Sequence, residues 1–319
     1  MSRHLVFIPI LVLVAAAETR ADDAAKEKLF VVSMEGGFEK MSIVLMNADG
    51  GDRKTIKTPE GIPLDPVPSR DGKWLAFTLM DPKTMRADIH VAKVDGSDAR
   101  KISSAEEKEI AFGASWSPDG KRLAYSVMKS PDGGPPKNMP LLVCDSDGKN
   151  AKKIVEGILP SWSPDGKQIL YTVLNLEGDF DPRLHVMDAD GKNAKELIKA
   201  KSMMGHFSPD SKRIVYMSAK DGKQEMPRIH VCNADGSESK QVTSGEDHFE
   251  LAPRWSADGR RIFFNRMKRE GAPKNIALFV MDADGKNEKR LSKEDGSDIL
   301  GGSPLFMLTR SSSEPAQKQ

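Results

Sequence analysis

The chain has 319 residues, of which 38% are hydrophobic, and its 48 Lys and Arg residues almost cancel its 47 Asp and Glu residues. This balance excludes the global basic field on which nucleic-acid binding depends. The 20 prolines and 26 glycines predict many turns and few long helices. A single all-β domain is compatible with this length.

The N-terminus has the pattern of an export signal. A short positive region precedes an apolar run of thirteen residues, 5–17. This run is shorter than the roughly 20 residues that span a bilayer, and small residues between Ala17 and Ala21 offer cleavage sites. We therefore predict a signal peptide over residues 1–21 and a periplasmic or secreted mature protein without a transmembrane segment.

The string Trp-Ser-Pro-Asp-Gly-Lys recurs along the chain, and each copy is followed by an alternating apolar stretch. Two copies are complete, at residues 116–121 and 162–167. Ser suits the first position of a type I turn, Pro the second and Gly the fourth, so each copy predicts a tight turn between two strands. The aspartates of the five copies lie 45 to 48 residues apart: Asp71, Asp119, Asp165, Asp210 and Asp258.

A second string, which ends in Asp-Gly after an apolar strand, alternates with the first. Asp-Ala-Asp-Gly also fits a type I turn, with the glycine in the left-handed region closing a bulge. Each repeat therefore predicts strand A, a tight turn, strand B, a longer loop, strand C, a tight turn and strand D. The glycines of the six copies are Gly50, Gly96, Gly148, Gly191, Gly236 and Gly285.

Four strands in each repeat of about 46 residues predict the blades of a β-propeller. We predict six four-stranded antiparallel blades over residues 22–310. The chain starts with a strand B near Leu29–Ser33 and ends with a strand A near Ser303–Leu308. The C-terminal strand is therefore expected to complete the first blade and close the ring, which removes two open edges. We expect a monomer, with a disordered polar tail over residues 311–319.

The two strings resemble the TolB-type propeller repeats, which are distant relatives of WD repeats. The resemblance covers about residues 29–308. It implies a propeller of the bacterial cell envelope, in the Tol–Pal system, that docks on the peptidoglycan-associated lipoprotein. TolB carries an α/β domain before its propeller, whereas here the propeller is expected to start a few residues after the signal. A stand-alone propeller with its own protein partner therefore stays open beside a TolB role.

The sequence shows no catalytic set. The nucleophile elbow Gly-x-Ser-x-Gly does not occur, and the Asp-x-Asp-Gly turns lack the ligand spacing of an EF-hand. We therefore predict no enzyme activity, no bound metal and no cofactor. The competing hypothesis is an enzyme or ligand-binding protein that acts on glycans through the central channel. Along that channel, strand A carries a different residue in most repeats at one equivalent position: Val67, Ser115, Ser161, His206 and Arg254.

Repeat register accounts for three histidines and both cysteines. His90, His185 and His230 each lie six residues before an Asp-Gly glycine, which predicts half-buried packing positions in three different blades. Cys144 and Cys232 occupy equivalent positions two blades apart, beyond the roughly 7 Å Cα separation that a disulfide allows. We expect both thiols to be free and buried.

The topology assigns the connections to two faces. The A–B and C–D turns, which are uniform among the copies, lie on what we call the uniform face; the D–A and B–C connections lie on the variable face. Because loops on a rigid scaffold carry recognition, we expect a protein partner on the variable face, with solvated loops as the alternative. The residues expected nearest the channel mouth on that face are Glu107, Glu109, His206, Asp247, His248, Glu250 and Arg254.

Overall fold

The computed structural model describes residues 15–16, 27–33, 40–103, 109–129, 136, 139–175, 181–219, 227–245, 247–268 and 276–292. These residues form 24 β-strands, which follow one another in groups of four that we call units 1 to 6. The protein is therefore all-β over the part of the chain described, as predicted.

The first three units consist of β1 (Ala15–Ala16), β2 (Lys28–Ser33), β3 (Ser42–Asn47) and β4 (Lys54–Ile56); β5 (Ile62–Pro68), β6 (Trp74–Met80), β7 (Ala87–Lys93) and β8 (Arg100–Lys101); and β9 (Glu109–Trp116), β10 (Arg122–Lys129), β11 (Pro140–Asp145) and β12 (Lys152–Glu156).

The last three units consist of β13 (Ile158–Trp162), β14 (Gln168–Asn175), β15 (Asp181–Asp188) and β16 (Lys195–Glu196); β17 (Ser202–Phe207), β18 (Arg213–Ser218), β19 (Arg228–Asn233) and β20 (Lys240–Gln241); and β21 (His248–Trp255), β22 (Arg261–Lys268), β23 (Ile276–Asp282) and β24 (Lys289–Arg290).

Within each unit the strands pair antiparallel in the order A, B, C, D. Units 2 and 3 share one eight-stranded sheet, because Ala87 of β7 pairs in parallel with Ile110 of β9. The A strands of neighbouring units lie against one another. Strand A is therefore the inner strand, and the short strand D is the outer edge.

The Ser-Pro-Asp-Gly strings form the predicted A–B turns. In unit 3, the Ser117 hydroxyl donates to the Asp119 carboxylate at 2.6 Å and accepts from the Arg122 amide at 2.9 Å. The Gly120 amide donates to the Ser117 carbonyl at 2.9 Å. The Ser117 hydroxyl thereby lowers the pKa of Asp119. Turn formation thus accounts for this aspartate without a metal.

Strand A carries a β-bulge at the same place in units 2 to 6, where its register against strand B shifts. A bulge bends a strand and increases its twist. One residue at each bulge has a positive φ, between 50° and 65°: Asp65, Gly113, Leu159, Met204 and Ala252.

Apolar clusters fill the spaces between consecutive units, from units 1 and 2 through units 5 and 6. A further cluster joins unit 6 to unit 1, where Leu29 and Met46 pack with Phe263 and Leu278. The Glu27 carboxylate, just before β2, also reaches unit 6, because Arg261 donates to it at 2.8 Å. The first unit therefore packs against the last.

The predicted packing roles are confirmed. Cys144 and Cys232 are free and buried, and burial raises the pKa of each thiol to about 12. Each half-buried repeat-position histidine packs on an aromatic ring of strand B at 5.5 to 5.8 Å: His90 on Phe77, His185 on Tyr171 and His230 on Tyr216.

The first unit differs from the prediction at its inner edge. Ala15 and Ala16 pair with Phe30 and Leu29, so β1 lies on the edge of β2 for which the sequence predicts a C-terminal strand. The predicted strand at Ser303–Leu308 lies outside the described residues, as do the tail and the rest of the predicted signal peptide. Among the residues that are described, none lies in a helix with the length and hydropathy of a membrane span.

Candidate functional site

The residues predicted to surround one channel mouth fall at two ends of strand A. In β21, His248 is the first residue and Arg254 the last but one. At about 3.3 Å per residue, these two positions are roughly 20 Å apart. Since strand A begins at the D–A connection and ends at the A–B turn, Arg254 lies towards the uniform face.

His206 has the same position as Arg254, as the last but one residue of β17. The prediction that His206 and Arg254 lie at the variable face is therefore wrong. The turn strings themselves carry the signal, because both residues directly precede the aromatic residue that opens a turn string. An apolar cluster lies between the two ends of strand A and includes Leu64, Phe112 and Leu251.

Glu109, Asp247 and His248 lie on the variable face. The Asp247 side chain is 80% exposed, and its carboxylate lies 2.5 Å from Nδ1 of His248. Glu109 opens β9 and forms an ion pair of 3.3 Å with Lys129 on the adjacent strand. Glu107 lies outside the described residues. Charges of both signs therefore meet at this face.

Glu250 is also at this end of the sheet but is fully buried. Its carboxylate accepts hydrogen bonds from Arg228 at 3.1 Å, from Thr243 at 3.0 Å and from Arg266 at 3.1 Å. The Nε2 atom of His248 lies 3.0 Å from the same carboxylate. Because Glu250 is enclosed, it supports the variable face from inside and presents no surface to a partner.

The two arginines of this network extend it outward. Arg266 donates to both oxygens of Glu288, at 2.6 and 2.7 Å, and stacks on Phe279 at 4.7 Å from the ring centroid. Burial acts to lower the pKa of Arg266, but Glu288 and Glu250 outweigh it and raise the pKa. Arg228 donates to the His248 carbonyl at 2.7 Å and also to the Gly245 carbonyl. The network thus fixes the backbone on either side of Asp247.

A second polar cluster lies towards the uniform end of strand A, at the predicted variable register. The Ser161 hydroxyl lies 3.0 Å from Nδ1 of His206, and Nη1 of Arg254 donates to the same Nδ1 atom. The Trp255 indole donates to the His206 carbonyl at 3.2 Å. Since Nδ1 of His206 accepts from Arg254, its imidazole is assigned as the neutral tautomer with the proton on Nε2.

Asp65, which no turn string marks, also interacts electrostatically with Arg254. It is 1% exposed, and neither of its carboxylate oxygens has a hydrogen-bond partner among the described residues. Burial raises its pKa to about 8, and the charge of Arg254 offsets this effect only in part. The sequence signal was a lone acidic residue inside the apolar strand β5.

A contact joins non-adjacent units at the uniform face. Arg70, in the A–B turn of unit 2, donates to the carbonyl of Pro164, in the A–B turn of unit 4, at 2.6 Å. A small cavity of about 10 Å³ lies beside His206 and Arg254, the room that one water molecule needs. Its walls are Gly113, Ala114, Leu159, Pro160, Met204, His206 and Arg254.

Over the part of the chain that the structure describes, no three His, Cys, Asp or Glu side chains converge as metal ligands would. The two ends of strand A offer different groups to a ligand. The variable face offers charged side chains on a fixed base. The opposite end offers a guanidinium and an imidazole beside a cavity.

Comparison with known proteins relates the chain to TolB. Residues 173–307 match the family model of the TolB beta propeller domain. TolB from Acinetobacter baumannii superposes with a TM-score of 0.68 and 21% identity, over 85% of this chain and 65% of that protein. A TolB candidate from Agrobacterium tumefaciens gives 0.59 and 19%, over 86% of this chain and 91% of that one.

An enzyme is similar at the same level. Oligogalacturonate lyase, whose structure contains manganese, has a TM-score of 0.60 and 14% identity, over 90% of this chain and 78% of the lyase. Similarity at such identities establishes the fold alone. The comparisons therefore confirm the resemblance to TolB-type propellers.

Proposed function

We propose that the protein is a non-catalytic propeller of the bacterial cell envelope that docks a protein partner on its variable face. The observation that carries this proposal is the exposed, charged Asp247 on a base that Glu250, Arg228 and Arg266 hold in place. A fixed base lowers the entropic cost of ordering side chains on binding. The similarity to TolB supports the same location and role, in the periplasm after removal of a signal peptide.

The scaffold we propose for this role is a monomeric, closed ring of six blades. Its support is the packing of unit 6 on unit 1, through the Leu29–Phe263 cluster and the ion pair of Glu27 with Arg261. In the mature protein, residues 303–308 would take the edge of β2. A closed ring has no open sheet edges and so resists aggregation through strand pairing.

The partner we propose is an envelope protein, with a peptidoglycan-associated lipoprotein as the class that the TolB resemblance implies. Asp247 and Glu109, together with Glu107, would present negative charge, while on strand B Lys129 pairs with Glu109 and Lys268 pairs with His248. Charges at the rim of an interface act chiefly on the association rate and on its dependence on salt. Docking is therefore expected to weaken as ionic strength rises.

The test is a triple charge reversal, Glu107→Lys, Glu109→Lys and Asp247→Lys, with binding to the purified peptidoglycan-associated lipoprotein of the same bacterium followed by biolayer interferometry. Glu250 is left intact because its reversal would disrupt the buried network. We expect the association rate to fall about tenfold or more. The matched control carries the same charge change at exposed residues elsewhere: Asp98→Lys, Glu196→Lys and Glu238→Lys. Equal rates for the two variants would overturn the proposal.

The second candidate function is a glycan-binding or glycan-cleaving channel. The observation in its favour is the buried polar cluster of Asp65, His206 and Arg254. Stoichiometric metal in the purified protein, or binding of an oligogalacturonate in a calorimeter, would favour this candidate. Neither result is expected if the protein acts by docking alone.

A further inference from the structure

The small cavity at the uniform end of the channel has an unusual wall. Its two polar side chains, His206 and Arg254, both offer N–H groups, and the remaining side chains around it are apolar or absent, as at Leu159, Met204 and Gly113. The carboxylate of Asp65 is not among the lining groups. A guest in this cavity would therefore meet donors and hydrocarbon, a surface suited to an acceptor with negative charge.

The guanidinium of Arg254 is the source of positive charge at the cavity. Nη1 donates to His206, whereas the buried Nε atom has no hydrogen-bond partner among the described residues. A buried charge without a partner is costly, and an arginine does not escape the cost by losing its proton. The geometry thus leaves a donor and a charge unsatisfied beside the cavity.

The acidic group that acts on Arg254 does not neutralise its charge at neutral pH. Asp65 is the carboxyl group whose charge acts on Arg254, and its oxygens make no hydrogen bond to Arg254 or to any other described residue. Burial raises the pKa of Asp65 to about 8, so at pH 7 this carboxyl is mostly protonated. His206 is neutral through its bond with Arg254. Among the described residues, the positive charge of Arg254 therefore has no ionised counter-charge at neutral pH.

We infer that the cavity binds a small monovalent anion, of the size of chloride, held by Arg254 and His206. The cavity's volume of about 10 Å³ is the room that one water-sized guest needs. Because most of the walls are apolar, they screen the attraction between the anion and Arg254 only weakly. This site is independent of partner docking, because it lies at the other end of strand A.

The anion would join four units at their inner strands. Ala114 belongs to unit 3, Leu159 to unit 4, Met204 and His206 to unit 5, and Arg254 to unit 6. Because such a ligand binds the folded ring and not the unfolded chain, it stabilises the fold by mass action. Occupancy is therefore visible as a change in thermal stability.

The first test compares thermal unfolding in sodium chloride and in sodium gluconate at the same ionic strength and pH 6.5. We expect chloride to raise the Tm by about 2 °C or more relative to gluconate. Sodium formate in a third arm distinguishes a halide site from one that also accepts a small carboxylate. Arg254→Gln should abolish the difference, and Arg213→Gln, which alters an arginine stacked on Trp255 outside the cavity, should retain it. A difference that persists in Arg254→Gln would overturn the inference.

A pH series tests the part played by Asp65. At pH 9.5 the ionised Asp65 supplies the counter-charge, so the chloride effect should disappear in the wild type. It should persist in Asp65→Asn, which stays neutral. Loss of the chloride effect at both pH values in Asp65→Asn would contradict the assigned role of this residue.

A crystallographic measurement keeps the inference falsifiable if Arg254→Gln does not fold. Crystals of the wild-type protein grown in sodium bromide should show an anomalous peak in the cavity, beside Arg254 and His206. Peaks at the protein surface alone, with none in this cavity, would overturn the inference.

Discussion

Two carboxylates in this protein are almost equally buried but have opposite surroundings. Glu250 is 0% exposed and accepts hydrogen bonds from Arg228, Thr243 and Arg266. Asp65 is 1% exposed and accepts none from the described residues. The first carboxylate thus has hydrogen-bond donors that compensate its charge, whereas the second has no hydrogen-bond donor among the described residues.

The difference separates a structural role from a candidate binding role. A buried charge with several donors rigidifies its surroundings, and the Glu250 network does so under the variable face. Buried polar groups without partners are rare in folded proteins and call for a specific explanation. For Asp65 and Arg254, the explanation that we infer is a bound anion beside Arg254 and a protonated carboxyl group on Asp65.

Glu250→Gln should have the greatest effect on stability. The substitution keeps the side-chain shape but removes the charge that Arg228 and Arg266 require, so two buried arginines lose compensation. We expect the free energy of unfolding in urea to fall by about 3 kcal/mol. Glu109→Gln is the control, because its ion pair with the half-exposed Lys129 should be worth less than about 1 kcal/mol. Similar losses for both variants would show that the Glu250 network is no more than a surface feature.

Asp65→Asn should act in the opposite direction and depend on pH. The folded-state pKa of Asp65, about 8, lies above that of the unfolded chain, so its contribution to stability is complete at low pH and is lost as pH rises towards 8. Asn does not ionise, so its contribution to stability does not change with pH. The variant should therefore gain at least about 1 kcal/mol over the wild type between pH 5 and pH 9, since each pKa unit is worth about 1.4 kcal/mol. Parallel pH profiles of unfolding would refute the buried, uncompensated state of Asp65.

Substitutions in the turns of the uniform face should have a smaller effect on stability. Asp119→Ala removes the acceptor of the Ser117 hydroxyl and of the Lys121 amide and should cost about 1 kcal/mol. The loss should be the same with calcium or with a chelator, because the turn needs no metal. A stabilising effect of calcium on the wild type alone would mean that the turn is a metal site.

His185→Phe should be close to neutral, within about 0.5 kcal/mol. Phe279 already occupies the equivalent position in unit 6 and packs on Phe264 at 5.7 Å, as His185 packs on Tyr171. Thermal unfolding in the presence and absence of zinc would check this result. A large loss of stability, or a zinc effect that the variant lacks, would give the histidine a role beyond packing.

Most of the fold was predictable because the turn strings are local. A serine hydroxyl, a proline and a glycine at fixed spacing determine a turn without help from distant residues, as at Ser117–Gly120. The repeat then placed Cys144 and His185 correctly. The edge of β2 was the exception, since Ala15 and Ala16 occupy it and the predicted partner strand lies outside the described residues.

The candidate sites were less predictable because they are built across strands. Glu250 meets Arg228 and Arg266 from 22 and 16 residues away, a contact that only the paired sheet creates. His206 and Arg254 were placed at the wrong end of strand A, although the turn string after each residue fixes the direction. Asp65 was missed since it lies in the least regular copy of the repeat.

Site-specific photocrosslinking in the living cell tests the proposed docking face most directly. A photoreactive amino acid is placed at Asp247 on the variable face or, as the matched control, at the exposed Lys121 on the uniform face. The proposal predicts that a crosslinked envelope protein forms from position 247 and not from position 121. Crosslinks from position 121 alone, or equal crosslinks from both positions, would contradict docking through the variable face.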